Sequence, residues 1–141
     1  MIDIENKVFN EIVTQVQYYF NDASVYSEAI DVPSSFPCVT MEETSNMVYA
    51  KSSDSSALEN HARITYEFNI YSNLESGKKS QAKDIQSIID SVMEGYNFTR
   101  TFCSPMPNQD RTIYRIVSRY DGIVAKGVEN GSNIDYTIYR K

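Results

Sequence analysis

Two different periodicities follow one another between Ala62 and Gly95, and no other stretch narrows the fold as much. In Ala62, Ile64, Tyr66, Phe68 and Ile70 every second residue is apolar, with Arg63, Thr65, Glu67, Asn69 and Tyr71 between them. That is the pattern of a strand with one buried face. After a turn over 72–79, Ala82, Ile85, Ile88, Ile89, Val92 and Met93 recur at steps of three and four, sharing one face of a helix. Gly95 then stands where a helix C-cap favours a residue free to take positive φ. Each segment needs a cover, and the short connection lets them cover one another. The spacing predicts a strand over 62–72 and a helix over 78–94, the nucleus of a helix-on-sheet layer.

The rest of the chain adds elements around this unit. Asp3 is the expected N-cap of a first helix, with Glu5 in its first turn. Val8, Phe9, Ile12, Val13, Val16, Tyr19 and Phe20 continue it at helical spacing, giving a helix over about 4–20. Tyr26 to Ile30 adds a short turn or extended piece before Pro33. Residues 36–42 form a strand with Pro37 at its start, since proline cannot donate to a ladder. From 42 to 60 the composition turns to Thr, Ser, Asn and Asp, a long polar connection of the kind that is functional or orders on a partner. Met47 to Lys51 could supply a weak strand within this arm. The C-terminal strands are expected over 97–140. Phe98 to Ser104 is broken by Pro105-Met106-Pro107-Asn108, and Thr112 to Tyr120 is interrupted by a bulge at Asp121-Gly122. Ile134 to Tyr139 returns as a hairpin after the Asn130-Gly131 turn signal. The expectation is a single α+β domain, a mixed and mostly antiparallel sheet packed against two helices.

A chain of 141 residues can bury one core without staples. Cys38 and Cys103 both fall in strand-like stretches and are expected to be reduced, buried thiols. Asp3, Glu5, Lys7 and Glu11 interrupt any leader-like apolar run, and no stretch approaches the roughly 20 apolar residues that span a bilayer. A net charge of −6 argues against a dedicated nucleic-acid binder.

The motifs for chemistry are poor. Ser76-Gly77-Lys78-Lys79-Ser80 follows a strand and opens a helix as a phosphate loop must. Ser72 replaces the earlier glycine, however, and Lys79 stands where Ser or Thr should hold magnesium. His61 is the only histidine and has only Glu59 beside it in sequence. One histidine and two distant cysteines match no metal-ligand spacing. Glu42 and Glu43, adjacent on a strand, point to opposite faces. No catalytic residue, cofactor or metal is expected. Arg111, Arg115 and Arg119, at four-residue steps on a strand, share one face with Ile113 and Val117. Three readings compete for that row: a solvated sheet face, a salt-bridge row against a neighbouring subunit, and a nucleic-acid track. The apolar residues between the arginines suit a protein contact better than a phosphate contact.

A set of longer stretches carries a resemblance. Phe36-Pro37-Cys38-Val39 opens it, then Asp54-Ser55-Ser56 and Glu59-Asn60-His61-Ala62 lead into Tyr66-Glu67-Phe68-Asn69-Ile70-Tyr71-Ser72-Asn73. Gly77-Lys78-Lys79, Phe98-Thr99-Arg100-Thr101-Phe102, Pro105-Met106-Pro107-Asn108, Thr112-Ile113-Tyr114-Arg115 and Thr137-Ile138-Tyr139-Arg140 follow. In wording and order these resemble the tail terminator (tail completion) proteins of long-tailed bacteriophages and prophage tail-like particles, from about Phe36 onward. The resemblance implies a small α+β subunit in a ring, commonly of six copies, on the head-proximal end of the tail tube. There it would stop tube growth and present a docking face to the neck or head.

Its partners would be copies of itself, the tail tube protein, and a neck, head-completion or sheath protein. DNA would pass only as cargo, without specific binding, and no membrane is involved. The location implied is the virion or tail-like particle, and the host cytoplasm during assembly. The candidate subunit or tube contacts are Tyr49, Lys51, Asp54, Lys78, Lys79, Arg111, Arg115 and Arg119. Asp121-Gly122 and the stretch from Gly127 to Asn133, longer than a minimal turn, depart from the expected pattern. Two alternatives accompany this reading: another head-tail connector component, such as a head-completion or stopper protein, and a non-viral ligand-binding module.

Overall fold

The computed structural model describes residues 1–30, 32–48, 61–130 and 133–139, without side chains for 126–130 and 133–139. The alternating segment forms the central strand and the Ile-rich stripe lies on it, so the fold is the expected α+β layer. In chain order the elements are α1 (Glu5–Tyr19), β1 (Ser24–Tyr26), β2 (Cys38–Val48), β3 (His61–Ser72), α2 (Lys78–Gly95), β4 (Thr99–Met106), β5 (Tyr114–Asn130) and β6 (Asn133–Tyr139). They build one six-stranded sheet of order β1-β2-β3-β5-β4, with β6 pairing β5 beyond β4. Among the described strands β1 and β2 run parallel and the other pairs antiparallel.

Both helices lie on one face of this sheet, and their apolar stripes close the core. Val8, Ile12 and Val16 of α1 and Ala82, Ile85, Ile89, Val92 and Met93 of α2 are buried. They join Ile64, Tyr66, Phe68 and Ile70 of β3 and Ile116, Tyr120 and Val124 of β5 in one cluster. A hydrogen-bond network, buried at Gln86 and opening to solvent at Asp90, ties α2 to the sheet: the Tyr120 hydroxyl donates to Asp90 Oδ1 at 2.9 Å and accepts from Gln86 Nε2 at 2.7 Å. Arg100 Nη1 donates to the same carboxylate oxygen at 3.1 Å.

Several expectations are corrected at element ends, where local chemistry decides. Ile4, not Asp3, is the N-cap of α1; Asp3 Oδ1 instead accepts the Glu5 N–H at 2.9 Å. Gly95 closes α2 from inside, and the left-handed residue beyond it is Asn97, at φ 63°. β2 begins at Cys38 and pairs with β3 as far as Val48 opposite Ala62, with a bulge at Thr44. The first part of the expected polar arm is therefore ladder, and its remainder, 49–60, lies outside the described residues. Extended chain before Pro33 occurs at 24–26, earlier than expected.

The edge strand β4 accommodates Pro105 and runs on to Met106. β5 is continuous through Asp121-Gly122, with Gly122 squarely opposite Ile64. Its far end pairs Asn130 with Asn133, so the β5–β6 connection is short; the turn residues themselves lie outside the described residues. Cys38 is buried, but Cys103 is exposed on β4, beyond the helices' cover.

Candidate interaction surface

With the helices on one face, the opposite face of the sheet is left to its own polar rows, and the strand registers say which residues share them. Directly paired residues project to the same side. One row therefore runs Glu42, Glu67, Arg119 and Phe102 across β2, β3, β5 and β4, and the next runs Thr40, Asn69, Val117 and Ser104. A further row carries Cys38, Tyr71, Arg115 and Met106. In the other direction along the strands lie Ser45, Thr65, Asp121 and Thr99, then Met47, Arg63 and Ile123.

The charges on this face are organised by ion pairs and stacking. Arg119 Nη2 lies 3.3 Å from Glu67 Oε1, and its guanidinium sits 4.8 Å from the Phe102 ring centroid. Arg63 Nη2 lies 3.1 Å from Asp121 Oδ2, and the other oxygen of that carboxylate accepts from Thr65 Oγ1. Both arginine side chains remain 45% exposed, so their pairs contribute a few tenths to one kcal/mol at most. Arg115 is held differently: its Nε and Nη2 both donate to Asn69 Oδ1, at 3.0 and 2.8 Å, above the Tyr71 ring at 5.6 Å. Around it the face is folded over rather than open. Thr40, Asn69, Tyr71, Val117 and Cys38 are buried, and burial pushes the Cys38 thiol up to about 11, which keeps it protonated and unreactive.

Of the residues singled out from sequence, Arg115 and Arg119 do share this face, and Arg111 does not. The strand starts at Tyr114, and Arg111 sits in a turn that Asp110 builds by accepting the Thr112 N–H at 2.9 Å and Thr112 Oγ1 at 2.6 Å. Those bonds hold the exposed Asp110 carboxyl below its ordinary range. Lys78 and Lys79 open α2 after its N-cap Gly77, which sits in the left-handed region at φ +92°. Lys78 Nζ reaches the Arg111 carbonyl at 3.3 Å, so Lys78, Lys79 and Arg111 form a basic corner away from the strand row. Tyr49, Lys51 and Asp54 lie outside the described residues. Sequence reasoning missed Glu67, Asn69 and Asp121 as the partners of the arginines. The alternation of β3 already put Glu67 and Asn69 on the polar face, but only the β3–β5 register brings them to Arg119 and Arg115.

Two concavities lie on the surface of the described residues. One, of about 550 Å³, runs between the helices past Glu11, Gln15, Tyr19, Ile88, Ser91 and Tyr96. The other, of about 220 Å³, lies on the folded-over part of the polar face beside Arg115. Among the described residues no group of three or more His, Cys, Asp or Glu could hold a metal ion, and no helix is long and apolar enough to cross a membrane.

The fold and surface thus define a class: an α+β protein whose mixed sheet is covered by helices on one side and bears a polar, arginine-rich face on the other. No protein-family model and no curated protein matches the chain. Among solved structures it is similar to the bacteriophage SPP1 gp17 protein, at 16% identity and a TM-score of 0.42, over 92% of this chain and 92% of that one. A likeness of that size assigns neither family nor partner.

Proposed function

We propose that this chain is a structural subunit of a bacteriophage tail or tail-like particle: a tail terminator that assembles as a ring, commonly of six copies, on the head-proximal end of the tail tube. It stops tube growth there and offers a docking face to the neck or head. Its partners are copies of itself, the tube protein, and a neck, head-completion or sheath protein, while DNA passes as cargo. Two things support the reading: the sequence resemblance from Phe36 onward, and the one-sided architecture. The observation that carries it is the sheet face opposite the helices, where Arg63, Arg119 and Phe102 keep exposed surface beside carboxylate partners. Alternating charge with an aromatic component, lying on rigid strands, suits repeated contact between protein subunits.

The test is genetic and particle-based. Particles made without the protein are expected to carry tails of irregular, extended length that fail to join heads, and restoring the protein should restore both. Tails of normal length and attachment in its absence overturn the reading. Labelled protein placed below the tube end in negative-stain images would instead favour another connector layer. A second reading, a ligand-binding module, draws on the groove between α1 and α2, whose volume falls within the usual range for small-molecule sites. It would require a saturable ligand whose binding is lost when Ser91 is replaced by a bulky residue.

A further inference from the structure

The residues ahead of α1 belong to the core, and the contacts that hold them there also set like charges against one another. Ile2 and Ile4 are buried in the main apolar cluster. One tie is long-range: Asn46 Nδ2, on β2, donates to the Ile2 carbonyl at 2.8 Å. This docking sets Asp3 and Glu5 against Glu43, which projects to the helix face of β2 directly opposite Tyr66. None of these three carboxylates forms an ion pair among the described residues. Lys7, in the first turn of α1, turns its Nζ to the Tyr96 ring at 6.0 Å. The Tyr66 hydroxyl is wholly buried and has no hydrogen-bond partner. Burial, then the charges of Glu43, Asp3 and Glu5, push that hydroxyl above its ordinary range, so it lies in the field of all three.

The docked segment therefore carries two costs, like charges held together and a buried hydroxyl left unpaired. A proton on Glu43 removes much of the first. Glu42 and Glu67 project to the other face of the sheet, and Tyr120, next in the row beyond Tyr66, has its hydroxyl engaged by Gln86 and Asp90. The opposing influence is Asn46, whose Nδ2 lies 3.5 Å from Glu43 Oε1 and favours the ionised form. We propose that the segment ahead of α1 is a proton-controlled latch: it lies shut on β2 and β3 while Glu43 is protonated, and ionisation of Glu43 loosens it without unfolding the sheet. In the shut state burial, then Asp3 and Glu5, hold the Glu43 carboxyl above its ordinary value, and opening returns it toward that value. The preference for the shut state is thus fully present below the ordinary carboxylate pKa and is lost as pH rises through the raised one. The latch does not depend on the ring reading above.

Thiol labelling reads the opening directly. With the exposed Cys103 changed by Cys103→Ser, an Ile4→Cys variant of the full chain is reacted with N-ethylmaleimide, an uncharged probe, between about pH 5 and about pH 8. Each rate is divided by that of a free cysteine peptide at the same pH. The ratio is expected to rise about threefold or more across this range. Adding Glu43→Gln should hold it flat near its acid level, and adding Asp3→Asn with Glu5→Gln instead should shrink the rise from the other side. Ile70→Cys, in the middle of β3, should show no such rise. A ratio at Ile4→Cys that ignores pH, or a rise that survives Glu43→Gln, overturns the latch. A parallel rise at Ile70→Cys overturns it too, because the whole domain would then be opening. Should Ile4→Cys fail to melt cooperatively, Ile2→Cys is read on the same terms and decides the question.

Discussion

Gly122 shows how one residue can look like a break in a strand and be a packing requirement. A Cβ built there would lie 2.6 Å from two atoms of the Phe98 ring. Phe98 is itself buried, with its ring centroid 5.6 Å from that of Tyr66, so it cannot swing away. Gly122→Ala is expected to lower stability by about 1–3 kcal/mol in denaturant unfolding. Adding Phe98→Leu should recover part of that loss, a coupling that a double-mutant cycle reads directly. Glu43 makes a second residue-scale case, because it projects to the helix face of the sheet opposite Tyr66. Burial first, then the carboxylates of Asp3 and Glu5, push its carboxyl above the ordinary range, against a hydrogen bond from Asn46. The native state therefore holds this proton more tightly than the unfolded chain. Its contribution is fully present below the ordinary carboxylate pKa and is lost as pH rises through the raised value. Melting temperatures measured across pH should show Glu43→Gln more stable than the unaltered protein near neutrality, with that advantage vanishing in acid.

At the scale of elements, the start of α2 depends on backbone geometry more than on side-chain capping. Gly77 is the N-cap at φ +92°, no side chain caps the helix, and a Cβ at Gly77 would meet nothing within 4 Å. The cost of Gly77→Ala is therefore conformational alone, about 1–2 kcal/mol. Gly95→Ala, at the other end of the same helix, also meets open space but has no positive φ. It is expected to be neutral or stabilising by up to about 1 kcal/mol. Thermal melts of the two variants side by side separate backbone strain from crowding. β5 is the element on which the sheet turns: β3 pairs along one edge, while β4 and β6 share the other. At Asp121-Gly122 the strand passes from β4 to β6 along that edge while the β3 ladder continues in register, Thr65 opposite Asp121 and Ile64 opposite Gly122.

For the molecule as a whole, the one-sided covering of the sheet sets both stability and exposure. Amide exchange should be slowest in the middle of β3 and β5, where two neighbouring strands and α2 protect the backbone. It should be fastest in β1 and the outer edge of β4. Slower exchange in β4 than in β5 would contradict the strand order. The same arrangement leaves the polar face without a helix cover, and the strand registers give its charge rows a fixed spacing.

Local pattern was enough to specify the alternating strand, the two helices, the α+β class and the common face of Arg115 and Arg119, because side-chain period and helix stripe are properties of neighbouring residues. It could not place Arg111, since a short Asx turn at Asp110 delays the strand, and it misread Gly122 because the ring that requires a glycine comes from a different element. The partners of the arginines, the pocket under Arg115 and the exposure of Cys103 were decided by register and by how far the helices reach over the sheet. Those are long-range choices, fixed by which strands pair and which face the core occupies.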